Sequence, residues 1–564
     1  MKKTPRTLKY PRLKHVLSVA KALGIPRKYL ELYGDYKAKV SPDILDAIGR
    51  RKNGKYIDVT GITPTPLGEG KTVTTIGLSM ALNRLGLRSV ACIRQPSLGP
   101  VFGIKGGGSG GGASQVLPSY DANIHLTGDN HAVETAHNLC AAFLDNHLYR
   151  GNALDIDLEK IFWHRVFDVN DRALRAIRIG VGGGKAGVER HTRFDITVAS
   201  ELMAILALAD SVPDLKKRVS RIVVALTRGG KSVTCADLKV AGAMAVLLKD
   251  AIKPNLLQTS ENTPCFVHTG PFANIAHGNS SILADKIGLK LADFVVTESG
   301  FGADCGAEKF FDIKCRYSGL KPDAAVLVCS VRGMKVHSGR YDVAPGRPLD
   351  KGLYKENLDA VEEGCANLEK QIENVNMFGV PCIVAVNRFR TDTPRELDII
   401  RKRSLRDGAF DCVVSDVYSR GSAGGDELAK VVAIASHHKN RFKFLYPLNA
   451  SIKEKIETIA AKIYGASGVR YEKLAEEDIA LYEKLGFGKL PVCVAKTHLS
   501  LSHDPRLKGR PQGFELPVMD VRPSTGAGFL YALCGTMMTM PALPSHPIGE
   551  RFDIDAKGNV KGLI

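Results

Sequence analysis

The segment Thr65-Pro-Leu-Gly-Glu-Gly-Lys-Thr72 has the residue types that a phosphate site needs. Glycines let backbone N–H groups converge on an anion, a lysine closing the loop reaches the outer phosphates, and an adjacent hydroxyl can hold Mg²⁺. The β-branched run Tyr56-Ile-Asp-Val-Thr60 precedes the loop and a helical stretch at 73–85 follows it, so the positive end of a helix dipole faces the anion. This arrangement predicts a nucleoside triphosphate site. Thr65, Pro66, Leu67, Gly68, Glu69, Gly70, Lys71 and Thr72 line the phosphates, with Lys71 in a catalytic role and Thr72 as the metal ligand. The pattern departs from the usual one at its first position, where Thr65 replaces Gly, and an ordinary glycine turn is the alternative. A similar stretch, Gly182-Gly-Gly-Lys-Ala-Gly187, has no hydroxyl after its Lys and reads as a loop.

Other residues with chemical potential sit at the ends of apolar runs. Leu87-Arg-Ser-Val-Ala-Cys-Ile-Arg94 reads as a strand. In an open parallel sheet ligands gather at the carboxyl ends of strands, so Arg94 is expected near the phosphates; a surface Arg in a turn is the alternative. Gly103-Ile-Lys-Gly-Gly-Gly-Ser-Gly-Gly-Gly112 is too rich in Gly for a packed helix or strand. It is either a flexible linker or a place where backbone approaches a ligand closely, and its apolar and aromatic flanks favour the second. Loops at 298–304, 388–394, 419–425 and 499–510 follow later strands, where binding residues collect. Asn387-Arg-Phe389 resembles the base-reading loop of GTPases but lacks its Lys and spaced Asp.

These loops need a frame. Short β-branched runs at 222–227, 266–268, 294–297, 324–330, 382–387, 412–415 and 492–496 alternate with helical stretches at 236–251, 282–291, 353–375, 425–437, 452–464 and 472–485. Such alternation predicts an α/β fold with a mainly parallel sheet flanked by helices. The run 196–209, which carries Glu201, reads as a buried helix. There is no internal repeat, and no apolar run approaches the roughly 18 residues of a membrane span.

Composition narrows the partners. Against 59 Asp+Glu stand 78 Lys+Arg, for a formal net charge of +19, a field that attracts nucleic acid, nucleotides or polycarboxylates alike. No zinc finger or RNA-stacking motif is present, so nucleic acid is not expected as the main partner. The 12 cysteines form no Cys-x-x-Cys pair, and with no secretory signal they point to reduced thiols in the cytoplasm. His125, His131 and His137 lack the glutamate of a His-Glu-x-x-His site, so no metal is expected there. The basic N-terminus has no acid before Glu31, as a mitochondrial presequence would. Short helices at 16–23 and 27–34 and a scarcity of Ser favour a folded segment instead.

In order along the chain, the phosphate loop is joined by Pro96-Ser-Leu-Gly-Pro100, Phe102-Gly-Ile-Lys-Gly-Gly107, Leu126-Thr-Gly-Asp129, Asn170-Asp-Arg-Ala-Leu-Arg175 and Phe194-Asp-Ile-Thr-Val-Ala-Ser-Glu201. Pro271-Phe-Ala-Asn-Ile-Ala-His-Gly278, Gly300-Phe-Gly-Ala-Asp304, Ala307-Glu-Lys-Phe310, Asn387-Arg-Phe389 and Met538-Thr-Met-Pro541 follow. Over essentially its whole length the chain resembles the formate–tetrahydrofolate ligases, also called formyltetrahydrofolate synthetases. The resemblance implies ATP-dependent joining of formate to tetrahydrofolate through formyl phosphate, giving 10-formyltetrahydrofolate, ADP and phosphate. It also implies Mg²⁺, a cytoplasmic location and a homotetramer. The expected architecture is P-loop NTPase-like, with a nucleotide-binding α/β domain at 1–360. A second α/β subdomain contributing to the folate site is expected at 361–480, and a C-terminal subdomain at 481–564.

By the same resemblance Arg94 holds the formyl phosphate, and Phe389 and Tyr418 flank the pterin ring. The nucleotide base lies near Gly300, Phe301, Gly302, Ala303 and Asp304. Asp129 is expected near the reacting centre as proton acceptor, with a helix N-cap as the alternative. The chain departs from the family at Gln95, where Glu is usual and is linked to a monovalent-cation response, so that response is not expected to carry over unchanged. Tyr418 replaces Trp, Ala113 an aromatic, His498 a Gln and His503 an acid. A ligase-like protein that binds nucleotide or folate without efficient synthesis, and an NTPase switch, are the competing readings.

Overall fold

The site is framed by a sheet whose strands are apolar on both faces. The computed structural model describes residues 12–344, 347–535, 537–558 and 560–562. Its main sheet is 12-stranded. Ten of these strands run in chain order as β1 (Leu30–Leu32), β2 (Ala38–Val40), β3 (Lys55–Gly61), β4 (Ser89–Ile93), β5 (Asn255–Thr259), β6 (Pro264–Val267), β7 (Phe294–Glu298), β8 (Ala324–Cys329), β9 (Cys382–Asn387) and β10 (Asp411–Ser415). Across the sheet the order is β1-β2-β5-β6-β4-β7-β3-β8-β9-β10. Every pairing from β6 to β10 is parallel, and β1, β2 and β5 complete one edge in antiparallel fashion. Gly110–Gly111 and Ser114–Leu117 hang from β5.

Alternate residues of each central strand enter different cores, as the two-residue period of a strand requires. Ile57, Val59, Val296, Val326, Val328, Ile383 and Ala385 pack with Leu78, Ala81 and Leu82 of α1 (Lys71–Arg84). Tyr56, Val295, Ala325, Leu327, Val384 and Val386 face the other way. They pack with Val361, Cys365, Leu368 and Ile372 of a later helix, Leu358–Met377. The sheet is therefore covered on both faces, and its carboxyl edge is left for ligands. That edge carries the segments after Gly61, Ile93, Glu298, Cys329, Asn387 and Ser415.

Several expectations change in detail, among them the helix expected at 236–251, which runs only over Ala241–Leu248. Residues 27–34 are not a helix, because Leu30–Leu32 pairs with Ala38–Val40 and only Arg27–Tyr29 forms a 3-10 turn. The run 196–209 is a strand end at Ile196, a 3-10 turn at Thr197–Ala199, and a helix at Glu201–Leu208 begun by the Ser200 side chain accepting from Met203 N–H. The helix expected from 353 begins at Leu358, where Asn357 caps Ala360 N–H. Residues 1–11 of the basic segment lie outside the described residues, whereas Val16–Leu23 is a helix with Val16, Val19, Ala20 and Leu23 buried.

Smaller sheets complete the molecule. Val492–Ala495, Phe529–Cys534, Glu515–Ser524 and Gly468–Tyr471 form a four-stranded one. Gly184–Ala186 is a 3-10 turn between two hairpin strands, in keeping with a loop. Among the described residues no helix is long and apolar enough to cross a membrane.

Candidate active site

Between β3 and α1 the chain makes a tight loop. Gly70 caps α1 with φ 78° and ψ 29°, a left-handed conformation that glycine adopts without a Cβ penalty. It offers no side chain to the first N–H groups of the helix, which leaves them for an anion. A Cβ on Gly61 would lie 3.3 Å from Lys71 Cδ, so the lysine stem runs along the end of β3. Burial lowers the Lys71 pKa, Glu69 and Glu298 oppose that, and Arg94 adds to it.

Glu69 braces the loop. Its carboxylate accepts from Thr65 Oγ1 at 2.8 Å and from Ser330 Oγ at 2.8 Å. Asn387 Nδ2 donates to the Glu69 carbonyl and its Oδ1 accepts from Thr74 Oγ1, so this asparagine braces the loop at 65–72. Upstream, Thr63 O accepts from His337 Nε2 at 2.7 Å, and Thr63 Oγ1 accepts from Asn367 and Gln371.

Thr72, Glu298 and Arg94 converge beside the loop. Thr72 Oγ1 donates to Glu298 Oε2 at 2.6 Å, and Arg94 Nε stands 3.8 Å from Glu298 Oε1. Arg94 Nη1 donates to the Pro271 carbonyl at 3.2 Å. Strands β3, β7 and β4 are neighbours, and this is why residues so distant in sequence meet. Sequence reasoning put Glu298 at the head of a strand-end loop but gave it no role, although its place at the end of β7 obeys the same rule that singled out Arg94.

Gly300 lies against Arg94: a Cβ there would be 3.0 Å from both terminal guanidinium nitrogens. Phe301 has φ 61°, rare for an aromatic residue, and stacks on His498 with centroids 4.1 Å apart and 19° between planes. His498 is pushed down to about 3, by burial first and then by Lys105, Lys496 and Lys71, and is neutral at pH 7. Ala303 and Asp304 are buried. Asp304 is spent inside the protein, accepting from Lys496 Nζ at 2.9 Å and Gln371 Nε2 at 2.7 Å. Lys105 was also missed as a site residue, although the motif Phe102-Gly-Ile-Lys-Gly-Gly107 contains it. Its ammonium lies 5.9 Å from the Phe301 ring centroid.

Phe389 follows β9 and Tyr418 follows β10, on adjacent strands, and both side chains are exposed. The Arg332 guanidinium covers Phe389 at 3.5 Å from its centroid. The glycine run is no linker: Ala113 N–H donates to Tyr418 O at 2.7 Å, and a Cβ on Gly112 would come 2.2 Å from that oxygen. Its close approach is to the Tyr418 segment.

Asp129 is the first residue of α2 (Asp129–Tyr149), which Gly128 caps. Its carboxylate accepts from Lys39 Nζ at 2.7 Å, Asn255 Nδ2 at 2.7 Å and Thr127 Oγ1 at 3.3 Å. None of these partners is Lys71, Thr72 or Arg94. Gln95 is buried, and among the described residues neither atom of its side-chain amide has a hydrogen-bond partner.

The family model described as formate–tetrahydrofolate ligase matches residues 7–564. A formate–tetrahydrofolate ligase of Roseiflexus castenholzii is 57% identical over 552 residues, covering 98% of each chain. That of Desulforamulus reducens is 53% identical over 567 residues and 100% of both, and that of Saccharopolyspora erythraea is 56% identical over 551 residues, 98% of this chain and 97% of its own. With a match of that extent running through the phosphate loop, Arg94 and the strand-end loops, the chain belongs to the formate–tetrahydrofolate ligase family.

Proposed function

We propose that the chain ligates formate to tetrahydrofolate at the expense of ATP, through formyl phosphate, and that the loop at 65–72 serves as a P-loop-like phosphate cradle. The observation that carries the reading is the convergence of Lys71, Thr72, Arg94 and Glu298 at the carboxyl edge of the sheet, in a chain of this family.

Formate is a poor electrophile. A formate oxygen attacks the terminal phosphorus of ATP, the bond to the β-phosphate oxygen breaks, and that oxygen keeps the electron pair as ADP leaves. The tetrahydrofolate N10 amine then attacks the formyl carbon, phosphate departs, and the amine loses a proton. The first step needs mainly positioning and charge neutralisation. Lys71 and the N–H groups of α1 hold the phosphates, and Arg94 is placed to grip the transferred group. The Thr72 hydroxyl and Glu298 carboxylate are hard oxygen donors that fit Mg²⁺, which would neutralise phosphate charge when bound. Phe389 and Tyr418, exposed on neighbouring strand ends, suit a flat pterin. Gln95 leaves an uncharged amide where the family's usual carboxylate would stand, so activation by a monovalent cation should be weak.

Purified protein given formate, MgATP and tetrahydrofolate should form ADP and formyltetrahydrofolate in equal amounts, and neither when one substrate is omitted. ADP release that ignores formate would instead support an NTPase switch, and nucleotide binding without folate product a ligase-like binding protein.

A further inference from the structure

We propose that Lys105 is a third cation of the phosphate cleft, which closes on the anion held by Lys71 and Arg94 and offsets the charge that moves during phosphoryl transfer. The inference rests on the ligase reading above.

One contact of Lys105 and two of the loop it touches place it beside the cleft. Its ammonium lies 5.9 Å from the centroid of Phe301. On one side of Phe301, Gly300 abuts the Arg94 guanidinium; on the other, a Cβ on Gly302 would be 3.1 Å from the carbonyl of Ile62, the residue after β3. Lys105, from the segment after β4, thus stands beside the Phe301 loop that touches Arg94.

Its attachment permits movement. Lys105 ends a single π-helical turn, Val101–Lys105, and is followed by Gly106 with φ 65° and ψ −137°. Its neighbour Ile104 is exposed, as is Phe102 two residues before that. Among the described residues the ammonium has no carboxylate or carbonyl partner, only the Phe301 ring, whose hold on a cation is weak. Arg94 and Thr72 share Glu298, and Glu69 is already bonded to Thr65 and Ser330.

The surroundings carry excess positive charge. Arg94 after β4, Lys71 on α1 and Glu298 at the end of β7 face Lys105, together with neutral His498 on Phe301; Lys496 behind it is paired with Asp304. Lys105 is itself exposed to solvent; partial desolvation, followed by repulsion from Arg94 and Lys71, lowers its pKa to about 8, with Glu298 opposing. A polyanion relieves that repulsion. In the transfer step negative charge spreads over three equatorial phosphoryl oxygens, more than Lys71 and Arg94 alone can cover. Lys105 supplies a donor without giving up its proton.

The test compares Lys105→Gln and Lys105→Arg with wild type in the full-length chain, after equal thermal unfolding midpoints show that the variants fold. Lys105→Gln should lower kcat about 10²-fold, the loss typical of one charge-stabilising donor, with the KM for tetrahydrofolate unchanged. The kcat/KM for MgATP in wild type should fall above about pH 8. In Lys105→Arg that alkaline limb should move upward, because guanidinium stays protonated past pH ~12. A Lys105→Gln kcat within about threefold of wild type, or an unmoved limb in Lys105→Arg, overturns the inference, being far below the loss expected for such a donor. A wild-type chain that makes no formyltetrahydrofolate overturns the ligase reading instead. Lys105 is then judged by MgATP titration, where Lys105→Gln should bind about tenfold more weakly and equal affinity would refute its role.

Discussion

Replacing Gly300 by alanine tests whether the backbone of the loop after β7 sets the position of Arg94. The added Cβ would lie 2.7 Å from Ala273 Cβ and 3.0 Å from both Nη atoms of Arg94. Carbon atoms pack at about 3.5–4.0 Å, so roughly 1 Å must be found on the Ala273 side. A methyl on the backbone has no torsion with which to yield, and the segment at 271–278 has to move. Overpacking of this kind costs about 1–3 kcal/mol. Arg94 gives way more cheaply, but its Nη1 is held by the Pro271 carbonyl and its Nε faces Glu298. A displacement approaching 1 Å at a reacting group can cost ~10²-fold in rate. The assay is kcat under saturating substrates together with the denaturant midpoint for unfolding. Adding Ala273→Gly should recover the midpoint and leave the rate low, since that second change frees the methyl contact but not the guanidinium. A Gly300→Ala protein with wild-type kcat and midpoint would refute the assignment of Arg94's position to Gly300.

Lys71→Ala should reduce turnover by at least about 10²-fold with little change in the unfolding midpoint, and near-normal rates would remove the phosphate loop from the mechanism. The Asp304–Lys496 pair has both side chains 1% exposed. Asp304→Asn or Lys496→Met alone should destabilise by about 3–5 kcal/mol, because each strands a buried charge or donor, while the double variant should cost less than either single; equal or additive losses would count against a coupled pair. Buried His337 donates from Nε2 to Thr63, and burial lowers its pKa to about 4. The unfolded chain takes up that proton near pH 6.5, so the stability from neutral His337 is present above pH ~6.5 and is lost as pH falls towards 4. His337→Gln should flatten that part of the stability profile, and a slope unchanged from wild type would assign it to other groups.

The parallel strands were legible because burial on both faces writes them as continuous apolar runs, such as Ala-Ala-Val-Leu-Val-Cys in β8. The strand-end rule then pointed to Arg94, while the family resemblance supplied Phe389 and Tyr418. What the sequence hid depends on partners far along the chain. Asp304 has the look of a ligand-facing acid, yet Lys496, 192 residues away, consumes it. Asn387 resembles a base-reading residue, and only the adjacency of β9 and β8 brings it under the phosphate loop. Glu298 is one glutamate among 59 acidic residues, and only the order β4-β7-β3 shows that it stands between Arg94 and Thr72. Leu30–Leu32 is too short an edge strand for alternation to register, and its pairing with Ala38–Val40 decides its conformation.

The order β7-β3-β8 has a consequence for the making of the protein. Strand β3 ends at Gly61, but the neighbours that flank it end at Glu298 and Cys329. At about 5–20 residues per second, a ribosome needs on the order of tens of seconds to deliver the first of them. For that interval a strand destined for burial, with two bare hydrogen-bonding edges, trails from the exit tunnel, unable to use the partners it will finally have. The nascent chain, more than the finished enzyme, is therefore where this protein is exposed to aggregation, and where slowing of synthesis between residues 61 and 298 would lower its yield without touching its activity.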